Sequence, residues 1–228
     1  MRLSAPNVVI VACGSLALTG CGGLLETTIP APQTYVLRLP PATTTATAAA
    51  ATPAAGSLRV QRPEAGPGLD SEHIALLRSE RRFDFYAASR WAAPAPDVLE
   101  SILVEQLRGS GMFPAVFDDA TPYAPHYNLR CGMSRFEADY TGGGHDPSVH
   151  VVLDCTFGRH RDRALLGNFT AAGAAAAGDD RLTAVVAAFE AATAKAVAEL
   201  EQKLAEALAA EQAGARQKVD NPDTSISR

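Results

Sequence analysis

From Asp179 onward the hydrophobic period of the chain changes, and that change limits the folds open to it. Leu182, Val185/Val186, Phe189, Ala192/Thr193, Ala196, Leu200, Leu204 and Leu208 recur every three or four residues, the spacing of one long amphipathic helix. Asp179 and Asp180 stand at its start, where negative charge suits the helix dipole. Lys195–Glu199 and Glu199–Lys203 have the spacing of i,i+4 ion pairs. Upstream the runs are short and strand-like: 34–39, 58–61, 74–78, 83–86, 113–117, 127–136, 149–157 and 165–172. The run at 58–61 stops at Pro63 and reads as an edge or entry strand. One helix interrupts the series. Pro96 and Asp97 open it, Leu99, Ile102, Leu103, Gln106 and Leu107 form its apolar face, and Gly109 and Gly111 end it. The sum predicts an α+β fold: a single antiparallel or mixed β-sheet packed by a mid-chain helix and a long C-terminal helix.

The N-terminus has a different character. Met1-Arg2 gives a positive start, and an apolar stretch from Val8 to Leu18 follows that is short for a membrane span. Leu18-Thr19-Gly20-Cys21 comes next. Charge, apolar run and small residues in that order read as a secretory signal, and its end resembles the lipobox of bacterial lipoproteins. Such a site needs a slim Gly20 before the cut and the Cys21 thiol to take diacylglycerol. Residues 1–20 are therefore expected to be removed. Cys21 is expected to carry diacylglycerol and an acyl chain as an anchor that stays in the membrane. Gly22 follows Cys21, where an Asp would retain many Gram-negative lipoproteins at the inner membrane, so the expected location is the outer membrane, facing the periplasm. Residues 21–33 read as a tether. Residues 34–211 read as the domain, with a flexible Ala/Thr/Pro-rich insert at 40–56. Residues 212–228 lack periodicity and read as a disordered tail.

Composition narrows the function. The chain has 228 residues, and 20 basic against 25 acidic side chains leave a net charge of −5, a poor match to a phosphate backbone. Nucleic acid is not an expected partner. With Cys13 lost and Cys21 lipidated, two thiols remain, Cys131 and Cys155. A hairpin centred on Gly143 pairs positions whose numbers sum to 286, which sets these two directly opposite each other. They would share a face with Leu129, Met133, Leu153 and Phe157. In an oxidising periplasm such a pair is a candidate disulfide, although one bulge would break the register and two small buried thiols also pack well unbonded.

Chemistry-bearing motifs are sparse. No Gly-x4-Gly-Lys-Ser/Thr and no Gly-x-Ser-x-Gly string occurs. His145, Asp146, His150 and Asp154 are the nearest thing to a metal cluster, but without ligand spacing they read as a wet hairpin surface. Asp118-Asp119 reads as a turn and Asp179-Asp180 as a cap. No catalytic residue and no cofactor beyond the covalent lipid is expected. The aromatic group Phe83, Phe85, Tyr86 and Trp91 offers more. Phe83 and Phe85 should face the core as one side of a strand. Tyr86 has the opposite phase, and Trp91 falls in a loop at 89–94. With Arg90, these are the expected contact residues. The long helix has length to overhang the sheet and meet another subunit, so a homo-oligomer is an open expectation.

Taken in order, Cys21, Thr34-Tyr35-Val36-Leu37, Leu58-Arg59-Val60, Ile74, Phe85-Tyr86, Arg90-Trp91-Ala92, Leu103 to Leu107, Gly111-Met112-Phe113-x-x-Val116, Tyr127-x-Leu129 and Phe136-Glu137 resemble the ABC-type transport auxiliary lipoproteins. The resemblance implies a non-enzymatic, lipid-anchored subunit. Such a subunit works with an MCE-domain protein, a permease and a separate ATPase in moving lipids between the two membranes. Cys21 carries over as the lipidation site, and Arg90 and Trp91 as a loop motif. The alternative is a periplasmic lipoprotein that itself holds a lipid or other apolar ligand, which would need a sizeable apolar cavity.

Overall fold

A computed structural model describes residues 31–41, 54–143 and 145–220. The signal segment, Cys21, most of the insert at 40–56 and residues 221–228 lie outside them. In chain order the described elements are β1 (Gln33–Tyr35), β2 (Leu58–Val60), β3 (Glu64–Ala65), β4 (His73–Leu77), β5 (Phe83–Trp91), α1 (Ala95–Gly109), β6 (Val116–Phe117), β7 (Tyr127–Asp139), β8 (Ser148–Arg159), β9 (Leu165–Ala176) and α2 (Leu182–Asp220). A 3-10 turn at Ser79–Arg81 links β4 to β5. The fold is α+β, with a mixed sheet of nine strands.

β7 is the spine of that sheet. Along one side it pairs antiparallel with β8, which pairs in turn with β9. Along its other side β2, β3 and β4 lie parallel to it one after another, opposite residues 127–129, 132–133 and 138–139. β6 extends the sheet beyond β2, and β5 then β1 extend it beyond β4. Parallel pairing needs a long crossover, and the segment containing α1 supplies it. β2 therefore has partners on both sides, β6 and β7, and is not an edge strand. Of residues 34–39 only the first two belong to β1; Leu37 is buried beyond it, and the Arg38 amide donates to Glu190 Oε1 at 3.1 Å. Of 113–117 only the last two residues pair, while Phe113 packs edge-on against Phe157.

The β7–β8 register is instructive. From Tyr127↔Arg159 to Met133↔Leu153 the pairs sum to 286, with Cys131 opposite Cys155. From Arg135↔Val152 to Asp139↔Ser148 they sum to 287, because Ser134 is an extra residue in β7. The hairpin is thus centred half a residue later than Gly143, and the bulge restores the register where the cysteines lie. The two Cα atoms are 4.1 Å apart and the sulfurs are bonded. Leu129, Met133, Leu153 and Phe157 share the buried face with them. The other face carries Arg130, Asp154, Thr156 and Thr170, all exposed.

Both helices cover the buried face. α1 ends as its glycines require: Gly111 adopts φ 71°, the left-handed turn after a helix. In α2 the apolar stripe from Val185 through Phe189, Ala192, Ala196, Leu200 and Leu204 to Leu208 is buried throughout. The helix continues to Asp220, past the end of that stripe, so the segment to that point is not a disordered tail. Its residues are good helix formers and extend a nucleus that packing has already established. The acidic start also differs from expectation. Asp179 accepts from the amide and guanidinium of Arg181, and the Arg181 carbonyl receives the first helical bonds, from Ala184 and Val185.

From Thr170 to Ala176 β9 consists of small residues, and α2 explains why. A Cβ on Gly173 would lie 1.9 Å from the Ala192 carbonyl oxygen and 2.7 Å from the Ala196 nitrogen. Helix and strand backbones touch there. Lys195 and Glu199 do not pair with each other as their spacing predicts. They reach the outer edge of β9, where Lys195 Nζ donates to the Ala174 carbonyl at 2.8 Å and Glu199 Oε2 accepts from the Ala172 amide at 2.9 Å. Gly173→Val should push the helix off the strand and cost about 3 kcal/mol, as overpacking does. Urea unfolding measures this, and an unchanged midpoint would show that the contact is not tight.

Candidate functional site

The three expected contact residues all lie on β5, but the strand sends them to different places. β5 continues to Trp91 because β1 lies alongside Ser89, Arg90 and Trp91, so the expected loop at 89–94 begins as a strand. His73 pairs with Arg90 while Ala75 pairs with Phe85, so β5 carries extra residues between these points, with Ala88 at φ 50°. Such a bulge re-aims the side chains beyond it. Trp91 consequently points inward and is 1% exposed. Its ring centroid lies 5.1 Å from that of Phe189 and 5.9 Å from that of Phe136, and the latter two are 4.9 Å apart. This trio ties β5, β7 and α2 together. Trp91 is a core residue rather than a surface contact, and truncating such a side chain typically costs about 3–5 kcal/mol.

Arg90 stays on the surface, ion-paired to Glu72 at 3.1 Å and directed at Thr34 Oγ1. Tyr86 is half-buried, and its hydroxyl lies 2.8 Å from that of Tyr140. Burial, then that hydrogen bond, pushes its phenol far above the usual tyrosine range. Tyr86 and Tyr140 line a groove of about 550 Å³ with Arg78, Asp84 and Asp180 on its rim. In Asp84 the carboxylate accepts from the Phe85 amide and from Arg78, and these bonds hold its pKa below the ordinary value. Phe85 packs against His73 at 4.9 Å, partly buried, whereas Phe83 is exposed. The expectation that Phe83 and Phe85 both face the core fails for Phe83, which is exposed at the outer end of the β4–β5 hairpin.

A second groove, about 570 Å³, runs between residues 36–39 and α1, with Val36, Leu39, Val98 and Ile102 as its apolar walls. The sequence reading passed over it, although one signal was available. Gln106 is a polar residue on the apolar face of α1, and its side-chain amide donates to the Pro40 carbonyl at 3.1 Å. This bond holds the N-terminal segment against the helix.

The remaining polar candidates do not converge. Asp154 accepts from Thr170 at 2.6 Å, and His150 sits opposite Glu137 across the strands. Among the described residues no three of His, Cys, Asp and Glu come close enough to share a metal ion. Asp118 accepts from Thr121 within a turn.

Glu201 on α2 has a buried Oε1 without a hydrogen-bond partner, as Trp91 has a buried Nε1 without one, and burial raises the Glu201 pKa. A raised carboxyl pKa means the folded state holds the proton more tightly, so stability falls as pH rises from the unfolded value of about 4.3. Glu201→Gln should therefore raise the melting temperature at neutral pH, with the gain vanishing at about pH 3. Thermal unfolding across that range checks it, and a gain independent of pH would refute it.

The fold is similar to that of protein XCC0632 from Xanthomonas campestris, a DUF330 protein, with a TM-score of 0.69 at 24% identity over 78% of this chain and 99% of that one. The structure of an uncharacterized protein gives a TM-score of 0.58 at 15% identity, over 76% of this chain and 99% of that one. Among functionally curated proteins, none matches the chain. The family described as the ABC-type transport auxiliary lipoprotein component matches residues 35–205, and the chain belongs to that family.

Proposed function

We propose that the protein is a lipid-anchored, periplasm-facing accessory subunit of an MCE/ABC-type intermembrane lipid transport system, without catalysis of its own, that docks the transporter at the outer membrane. Family membership over 35–205 carries this reading, together with the lipobox at Leu18 to Cys21. Four buried polar side chains support a structural role. Glu137 is held by Arg135, Gln106 by Pro40, Ser110 by Leu107 and Thr193 by Phe189. Each is engaged in keeping the fold closed. The groove at 36–39 favours a second reading, in which the protein itself holds an apolar ligand along Val36, Leu39 and Ile102.

An affinity pull-down from crosslinked, fractionated envelopes separates the two. An MCE-domain protein should co-purify from outer-membrane fractions, Cys21→Ala should release the chain to the soluble periplasm, and Arg90→Glu should reduce recovery of the partner several-fold. Trp91→Ala is unsuited to this purpose because it opens the core. Absence of any MCE-type partner, with lipid in the solvent extract of the purified protein, would replace docking by carriage.

Oxidation of Cys131 and Cys155 belongs to the same proposal, since it requires export. Closing a loop across a sequence separation of 24 residues contributes about 3.5 kcal/mol in the chain-entropy account. Cys131→Ala/Cys155→Ala should lose about that much in urea unfolding. Two titratable thiols in unfolded, unreduced protein taken from the periplasm would contradict it.

A further inference from the structure

The tip of the β4–β5 hairpin has features that folding alone does not require. Residues Arg78 to Phe83 form six consecutive exposed positions, among them three arginines and a phenylalanine. Glu80 and Arg81 adopt φ 67° and 58°, the left-handed region that favours glycine or asparagine. A turn selected only to reverse the chain would carry those residues. Arg81 and Arg82 make no ion pair among the described residues, while Arg78 is engaged with Asp84. Phe83 is exposed and yet braced. Its ring meets Phe85 edge-on at 5.4 Å and lies against Gly68, where a Cβ would come within 2.8 Å of Cε1. An aromatic ring held outward beside two guanidinium groups that make no ion pair among the described residues matches the boundary between lipid headgroups and acyl chains. There arginine pairs with phosphate and the ring enters the apolar layer.

Topology puts this tip on the side where β1 begins. β1 runs parallel to β5, with Gln33 beside Ser89 and Tyr35 beside Trp91. The first residue of β1 therefore lies toward Phe83, the tip end of β5. Cys21 lies 12 residues before Gln33, a reach of at most about 40 Å. Tyr123 marks the opposite end of the sheet. It precedes β7 and its carbonyl accepts from Arg59 of β2, whereas the tip lies beyond the other end of β7, about 40 Å away along 13 residues.

We propose that Arg81, Arg82 and Phe83 form a membrane-contact tip that rests on the phospholipid surface carrying the Cys21 anchor and thereby sets the orientation of the domain above it. The proposal rests on the lipoprotein reading. Its test uses the full lipidated chain in vesicles of phosphatidylethanolamine and phosphatidylglycerol at roughly 3:1, with Phe83 or, separately, Tyr123 replaced by photoreactive p-benzoylphenylalanine. Mass spectrometry reads both the acylation of Cys21 and the crosslinked products. Lipid adducts are expected at position 83 and not at 123, reduced roughly tenfold when Arg81→Glu/Arg82→Glu is added. With Cys21 acylated, equal adducts at both positions, protein–protein adducts in place of lipid at 83, or a yield unchanged by the arginine reversal would each overturn the tip. An unacylated Cys21 would overturn the lipoprotein reading and the tip with it, and the mass of the N-terminal peptide tells that failure from the others.

Discussion

Where Ala192 and Ala196 cross Gly173, two backbones come so close that no side chain fits between them, and this contact sets the height of α2 above the sheet. With the helix at that height, Phe189 reaches Trp91 and Phe136, and Leu200 and Leu204 close over the interior. A larger residue at 173 would lift the helix and open the whole layer, because protein interiors tolerate few voids. The small-residue run Ala171 to Ala177 is therefore a packing surface for a helix, although its composition suits a linker equally well. Lys195 and Glu199 follow from the same geometry. A helix this close to the outermost strand can place its side chains on the unpaired carbonyl and amide of Ala174 and Ala172, which blunts an edge that would otherwise invite another strand.

Much of this was legible from periodicity. The stripe on α2 and the apolar face of α1 are local patterns, and burial follows them at every position except Leu182, which is partly buried. The β7–β8 hairpin was legible for a subtler reason. Its true centre lies half a residue beyond Gly143, and the Ser134 bulge shifts the register back by the matching amount, so the two displacements cancel at Cys131 and Cys155.

What the sequence did not reveal depends on partners far along the chain. Trp91 looks like a loop residue because its inward direction comes from extra residues in β5, and those are defined only by the register against β4 and by β1 on the other side. Phe83 has the phase of a core strand, but its position at the hairpin tip leaves it exposed. The bond from Gln106 to Pro40 was foreshadowed by a polar residue at an apolar position, although the acceptor could not be named without the fold. Lys195 and Glu199 have helical spacing, and a nearby strand edge competes successfully for both.

The spine of the sheet lies late in the chain, and this bears on how the protein is made. Residues of β2, β3 and β4 precede their partners in β7 by more than sixty residues in each case. A chain that crosses a membrane from its N-terminus therefore emerges with these segments unpaired. β4 and β5 can form a hairpin on arrival, but the apolar residues of β2 have no partner strand until Val116 and Phe117, and no spine to join until Tyr127 and its successors follow. Contacts so distant in sequence form slowly, and exposed strands are prone to aggregate in the interval. For the exported chain proposed above, completion of the sheet thus waits on β7, and the first half of the domain stays without its spine until that strand follows.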